Sequence, residues 1–131
     1  MNHVLKKDTL NYGDASVELH ELSGLQRVEY LEYIQQRTAQ YDEETADAGE
    51  EERRVAFLRM GIDINAWLVS RSLQNGDQTR DTGKTSDNIA ALWSYEALGK
   101  GADMVLSLSG MSLPDSGDET EAGEADSPEK P

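Results

Sequence analysis

The sequence contains no cysteine, which excludes disulfide bridges, thiolate metal sites and cysteine nucleophiles. No apolar run approaches the roughly 20 residues that a membrane-spanning helix requires. No charged and then apolar leader opens the chain, so we expect a cytoplasmic protein with no membrane partner. Hydrophobic residues make up only 37% of the 131 residues, below the roughly 45–50% of an average globular protein. The length therefore allows one domain plus some sequence outside any core.

Basic residues are also scarce, with 12 Lys and Arg against 26 Asp and Glu, for a net charge of −14. Such an excess repels nucleic acid phosphates and argues against nucleic acid as a direct partner. Residues 42–52 contribute −7 and residues 115–131 contribute −6, which leaves the remainder nearly neutral. Residues 112–131 are rich in Ser, Gly, Pro and acids and predict a disordered acidic tail. Residues 1–111 are the predicted helical domain.

The beginning of the chain predicts a short β-hairpin. Val4–Leu10 and Ala15–Leu19 are the expected strands, joined by a four-residue turn over 11–14 that contains Gly13. Because a lone hairpin is only marginally stable, we expect this one to pack against helices.

A first helix is predicted from Ser23 to about residue 40. Ser23 and Gln26 fit the reciprocal capping pattern of a hydroxyl followed three residues later by Gln. Apolar residues then recur at the spacing of an amphipathic helix: Leu25, Val28, Leu31 and Ile34, with Tyr30 and Tyr33 beside them. The acidic residues 42–49 are expected to form a loop.

The second helix has the clearest periodicity. Its main apolar stripe steps by three and four residues: Val55, Leu58, Ile62, Ala66, Val69 and Leu73. A second apolar face is formed by Phe57, Met60, Ile64, Trp67 and Leu68. Glu50–Glu52 suit the positive end of the helix dipole, and Asn75-Gly76 ends the helix. With two apolar faces, this helix is predicted to be central to the fold or half of an interface.

A third helix is predicted to begin at Ser86 or Asp87 and to run to Leu98, where Gly99 and Gly101 interrupt it. Residues 78–85 are expected to form a polar loop, and a last helical segment, Ala102–Leu108, to stop at Gly110. The predicted fold class is mainly α: a small bundle of three to four helices with a short N-terminal β-hairpin.

No catalytic, cofactor or metal site is predicted. Gly83-Lys84-Thr85 resembles the end of a phosphate-binding loop, yet Gln78 occupies the position of its first glycine and no buried strand precedes it. Residues 77–88 lack the Gly and the final Glu of a calcium loop. The only two histidines, His3 and His20, have no partner of zinc-ligand type. We therefore expect a binding protein and not an enzyme.

Aromatic and methionine side chains are the remaining candidates for function. A bundle this small cannot easily bury both faces of the second helix, and exposed apolar surface commonly marks a protein-binding groove, although each such residue taken alone is more often core. The predicted partner-binding residues are Tyr30, Tyr33, Phe57, Met60, Ile64, Trp67, Trp93 and Met104.

Three segments resemble a known family, the G-type tail assembly chaperones of lambda-like long-tailed bacteriophages. They are Leu-His-Glu-Leu-Ser-Gly-Leu-Gln-Arg-Val-Glu-Tyr-Leu at 19–31, Trp-Leu-Val-Ser-Arg-Ser-Leu at 67–73 and Leu-Ser-Gly-Met at 108–111. Their order and approximate spacing agree with the family over about residues 3–111, before a similarly acidic tail. Residues 42–52 and 75–86 match less closely, which leaves the partner surface there open.

The resemblance implies a protein of the host bacterial cytoplasm that coats the tape measure protein in several copies and is absent from the mature virion. Homo-oligomers along the tape measure are a further possibility. The resemblance also implies a longer product of ribosomal frameshifting that recruits the major tail protein.

Two other classes of function compete with this interpretation. An acidic mimic of DNA that binds a basic nucleic-acid-binding protein would need carboxylates at fixed spacing, whereas most of the net charge here lies in a predicted loop and tail. A small hydrolase would need a catalytic constellation, and none is found.

Overall fold

The computed structural model of the chain describes residues 5–77, 79 and 81–111. In chain order the elements are β1 (Lys7–Tyr12), β2 (Ala15–His20), α1 (Gly24–Glu44), α2 (Glu50–Gly76), α3 (Thr82–Leu92) and α4 (Tyr95–Leu108). The predicted fold class, a small helical bundle with an N-terminal β-hairpin, is confirmed. The predicted acidic tail over 112–131 lies outside the described residues, so the domain boundary at 111 stays a prediction.

The hairpin forms with a tighter turn than its sequence predicted. Tyr12 pairs with Ala15 across the antiparallel strands, so the turn is only Gly13 and Asp14. Gly13 has a φ of 60°, a conformation that glycine adopts without steric cost. The predicted four-residue turn is therefore wrong, because its first two residues continue β1.

Helices α1 and α2 form an antiparallel pair joined by residues 45–49. The predicted cap of α1 is confirmed: Ser23 Oγ accepts from Gln26 N at 3.2 Å, and Gln26 Oε1 accepts from Ser23 N at 2.9 Å. The helix ends at Glu44, so the predicted loop over 42–49 is shorter than expected. At the start of α2 a Glu52 carboxylate oxygen accepts from Gly49 N, and this helix has its predicted limits.

Burial along α2 divides the molecule in two. Every buried residue of this helix lies in its second half, from Ala66 to Asn75, and the helix as a whole packs against α1, α3, α4 and β2. The apolar core of the fold contains no residue between 35 and 61. We call residues 35–61 the arm and the remainder the body. The prediction that α2 is central to the fold is therefore confirmed for its second half, and an interface role stays a prediction.

The last two helices differ from their predicted limits. Asp81 caps α3 by accepting from Lys84 N at 3.1 Å, so residues 82–85 begin a helix where a polar loop was expected. The helical structure is interrupted at Trp93 and Ser94. The Ser94 side chain caps α4 by accepting a hydrogen bond from Ala97 N. The predicted break at the two glycines is thus wrong.

Gly101 lies inside α4 because the helix passes very close to its neighbours. A β-carbon at this position would lie 3.2 Å from both Trp93 Cζ3 and Val69 Cγ2. Gly110, with a φ of 71°, ends α4 as predicted, and Met111 N bonds back to Leu106 O at 2.8 Å.

Candidate protein-binding site

Little in the described ranges indicates a catalytic or metal-binding site. Within them, no three His, Cys, Asp or Glu side chains lie close enough together to hold a metal ion. In the same part of the chain, no helix combines the length and apolar character needed to cross a membrane. The unusual feature is instead a set of large apolar side chains exposed to solvent: Leu25, Val28, Leu31, Val55, Phe57, Leu58, Leu92 and Tyr95. A single exposed apolar residue is ordinary on a protein surface. Several exposed apolar residues that line or border a groove indicate an interaction surface.

The most apolar of these surfaces is a groove of about 350 Å³ between the hairpin and the α3–α4 junction. We call it the hairpin groove, and it is lined by Leu10, Tyr12, Ala15, Val17, Leu92, Trp93, Ser94 and Ala97. Leu92 is 79% exposed at its margin. The groove therefore offers an apolar surface to a partner.

Strand register and hydrogen bonds give the hairpin groove its shape. Leu10 pairs with Val17 and Tyr12 with Ala15, so all four side chains lie on one face of the hairpin. Tyr12 Oη accepts from Ser94 Oγ at 3.1 Å and donates to a Glu96 carboxylate oxygen at 3.2 Å. These bonds connect the hairpin to the start of α4, so the groove exists before any partner binds.

A second groove, of about 440 Å³, lies between the first half of α2 and α3. We call it the arm groove, and it is lined by Val55, Leu58, Arg59, Ile62, Asp63, Asp87, Ala90 and Ala91. Small alanines on α3 leave the apolar side chains of α2 open to solvent there.

Leu25, Val28 and Leu31 form a third surface, which we call the α1 stripe. At 100° per residue these three side chains lie on one side of α1, whereas Tyr30 and Ile34 face α2. The apolar residues predicted to share one side of α1 thus divide between two sides. Helix α1 lies at the edge of the fold and packs mainly on α2, and within residues 5–77, 79 and 81–111 the three side chains of the stripe are exposed.

Three of the predicted partner-binding residues pack together between α1 and α2. The rings of Tyr33 and Trp67 are stacked with centroids 5.6 Å apart, and Tyr30 lies 5.9 Å from Trp67. The Arg71 guanidinium covers the indole at 4.3 Å. Burial raises the pKa of Tyr30, and burial together with Asp63 raises the pKa of Tyr33. Desolvation lowers the pKa of Arg71.

The remaining predicted residues are placed more openly. Phe57 is exposed on the arm, where its ring meets Tyr41 edge-on at 6.0 Å. Met60, Ile64, Trp93 and Met104 are half-buried. Of the eight predicted residues, only Trp93 lines the hairpin groove. Partner binding by all eight stays a prediction, and Tyr30 and Trp67, at 8% and 7% exposure, have little free surface for it.

Sequence reasoning missed most of the groove residues. Alternation of apolar residues predicts the hairpin, but the helix that the hairpin covers depends on tertiary packing. For Leu92, a signal was present: it directly precedes Trp93-Ser94, and Ser94 is a good helix cap. Locating the helix break there would have placed Leu92 at an exposed corner.

Comparison with known proteins identifies the family to which this chain belongs. The family model described as bacteriophage lambda tail assembly chaperone, TAC, protein G, matches residues 3–129, so this chain belongs to that family. Tail assembly protein G of Escherichia phage N15 is 30% identical over 129 residues, covering 92% of this chain and 86% of the relative. Tail assembly protein GT of the same phage is also 30% identical, and this chain spans about half of it, 48%. No solved structure matches the chain.

Proposed function

We propose that this tail assembly chaperone binds the tape measure protein of its phage, and that it acts by binding alone, without catalysis. The observation that best supports the proposal is the hairpin groove, which is apolar, preformed and open. A groove of this kind suits the apolar side of a partner helix. A tape measure protein is long and helical, and its apolar stripes would aggregate if they were left uncovered.

Leu92 and Trp93 are the residues that we expect to contribute most to this contact. Leu92 is largely exposed in the free chain and gains burial on binding, whereas Trp93 is already held against the core and offers a rigid edge. The contact is modest in area, so it can be reversed when tail tube subunits replace the chaperone. Several copies along one tape measure would supply the necessary avidity.

The net charge of −14 supports the same proposal. Bound copies would surround the tape measure with like charge, and such complexes repel each other and stay dispersed. The expected site of action is the host bacterial cytoplasm, with the chaperone absent from the mature virion.

We further propose a longer, frameshifted form that recruits the major tail protein. The supporting observation is the relative named tail assembly protein GT, of which this chain spans about half. Mass spectrometry of infected cells tests the proposal. We expect peptides of this chain in a second, larger protein, and their absence from any larger species would contradict it.

Co-expression with the tape measure protein tests the binding proposal. We expect the tape measure to be soluble with the wild-type chain and at least about tenfold less soluble with Leu92→Glu or Ala15→Glu, because each places a charge in the hairpin groove. Both positions are exposed in the free chain, so the variants should fold.

Ser16→Glu is the matched control, because it adds the same charge to the opposite face of the same hairpin. It should leave the tape measure soluble. A tape measure that is equally soluble with Leu92→Glu, Ala15→Glu and wild-type chain would contradict binding in the groove. A tape measure that is insoluble with every one of them would contradict the proposed function itself.

A further inference from the structure

The α1 stripe is an apolar surface that the hairpin groove does not include. Leu25, at its start, is 69% exposed, and Val28, at its centre, is 52% exposed. Three large apolar side chains in a row on one helix favour a covering segment over open water. The position at which the described chain ends indicates which segment that is.

The end of the described chain lies beside the start of α1. Ser109 Oγ accepts from the backbone N of Leu22 at 2.9 Å, and this bond is buried. Leu22 precedes the stripe by three residues, which span at most about 11 Å. Leu113 follows Ser109 by four residues, which span up to about 14 Å. The segment that begins at residue 112 therefore reaches the stripe without any change in the body.

The other apolar surfaces are less accessible to this segment. The hairpin groove is lined by residues at the start of α4, whereas the segment leaves from the end of that helix. The 14 residues of α4 separate the two ends by about 20 Å. The α1 stripe is thus the exposed apolar surface closest to the segment.

The sequence of the segment has the chemistry that the stripe requires. Leu113 is the last large apolar side chain in the chain, and Pro114 and Asp115 follow it. Proline restricts its own backbone and that of the residue before it, so less conformational entropy is lost when the segment binds. One apolar side chain is therefore offered by a stiffened stretch of chain, directly before the acidic residues begin.

The surface of α1 has space for such a side chain next to Val28. Gly24 and Val28 are neighbours one turn apart on the helix. A β-carbon at Gly24 would meet nothing within 4 Å. Gly24 thus leaves a notch between the end of the described chain and the centre of the stripe, and a leucine side chain can lie in it against Val28.

Charge also favours this contact. Arg27 is exposed beside the stripe, and within the described ranges it forms no ion pair. At 100° per residue, Glu29 and Glu32 lie on the other side of the stripe. An acidic segment is consequently attracted to the Arg27 side, where Asp115 can pair with the guanidinium.

We propose that residues 113–115 of this chain fold back over the α1 stripe, with Leu113 packed against Val28 and Asp115 paired with Arg27. The connection is short, so the local concentration of the segment is high and even a weak contact is well populated. The segment shields the stripe from non-specific apolar contacts in the free chain, and any partner for the stripe must displace it. The inference does not depend on the proposed function or on what the hairpin groove binds.

Nuclear magnetic resonance of the full chain tests the proposal, with a soluble, neutral gadolinium chelate as the probe of solvent access. Paramagnetic relaxation of the Leu25 and Val28 methyl groups should be at least about threefold weaker in the wild type than in Leu113→Glu, because a carboxylate does not enter an apolar contact. Ala125→Glu is the matched control, since it adds the same charge further along the same segment. It should leave the relaxation unchanged.

The same spectra identify what covers the stripe. Nuclear Overhauser contacts between the methyl groups of Leu113 and Val28 are expected in the wild type. Equal relaxation in the wild type and Leu113→Glu would overturn the proposal, and so would a protected stripe without these contacts. Protection that is lost on tenfold dilution would also overturn it, because the cover would then come from another molecule.

Charge reversal tests the position of the acidic residue. Arg27→Glu should raise the relaxation of the stripe about twofold, because it opposes a carboxylate to Asp115. Lys84→Glu, at an exposed site on α3, makes the same change of charge elsewhere and should have no effect. Arg27→Glu/Asp115→Arg restores an ion pair of reversed polarity and should recover the wild-type protection. Additive loss in this double variant would overturn the proposed pairing.

Discussion

His20 and Gly76 are packed so closely that a β-carbon on the glycine would lie 2.6 Å from Cε1 of the imidazole. The backbone N of His20 also donates to Ser72 Oγ at 2.6 Å. The end of β2 is thus held directly against the last turns of α2. Glycine is needed at position 76 because of this approach, in addition to its tendency to end helices.

Gly76→Ala should therefore destabilise the fold by about 1–3 kcal/mol, since the hairpin end must move to admit the methyl group. Gly99→Ala is the matched control, because a β-carbon there meets nothing within 4 Å and alanine favours a helix interior. It should raise stability by up to about 1 kcal/mol. Urea unfolding measures both. Equal effects at the two positions would show that the His20 contact is unimportant.

Asn75 should be nearly as sensitive, because its side chain joins three parts of the chain. Its Nδ2 donates to Glu21 O at 3.0 Å and to Gln26 Oε1 at 2.8 Å. Asn75→Ala should reduce the free energy of unfolding by about 1–3 kcal/mol, because these partly buried acceptors lose their donor. Asn88→Ala, at an exposed site on α3, should change it by less than about 0.5 kcal/mol. Thermal unfolding of both variants distinguishes the two outcomes.

The ion pair between Arg37 of the arm and Asp63 of the body should show strong energetic coupling. Arg37 is 4% exposed, and its Nε donates to Asp63 Oδ2 at 3.0 Å. Asp63→Ala leaves a buried guanidinium without its counter-ion and should cost about 1–3 kcal/mol, less than for a fully buried pair because Asp63 is partly solvated.

Removing both partners should be less harmful than removing the acid alone. Arg37→Met/Asp63→Ala replaces the buried charge by an apolar side chain of similar length, so most of the lost stability should return. A double variant that is less stable than Asp63→Ala, measured by denaturant unfolding, would contradict this explanation.

Alkaline pH should weaken the α1–α2 contact through its two tyrosines. Burial raises the pKa of Tyr30 and Tyr33 above the ordinary value of 10.0, so the folded chain holds these protons more tightly than the unfolded chain. The resulting stability is complete below about pH 10 and is lost as pH rises through the folded-state pKa values. Unfolding at about pH 9 and about pH 11 measures the loss. Tyr30→Phe/Tyr33→Phe should lose less stability over this interval, and an unchanged loss would contradict the assignment.

Local signals in the sequence predicted much of the fold. The capping pair Ser23 and Gln26, the periodicity of α2 and the glycine at 110 all act within a few residues, so their structural effects follow from sequence alone. Family resemblance identified the functional class, as the family match shows.

Tertiary packing determines the features of the fold that local sequence signals do not predict. Gly99 and Gly101 each weaken a helix by about 1 kcal/mol, yet α4 continues through both because its close contact with α2 more than offsets that cost. Likewise, a stripe such as Leu25, Val28 and Leu31 normally faces the core. Here α1 presents its aromatic side to α2 instead, since stacking on Trp67 buries more surface.

The connection between α1 and α2 lies at the far end of the arm, and the core contains no residue within it. Lengthening such a connection costs only about 0.6 kcal/mol for each doubling of its length. A fluorophore or affinity tag inserted after Asp47 would consequently project from the tip without disturbing the body. A label at that position would report on partner binding by the chaperone while leaving the surfaces of the body free.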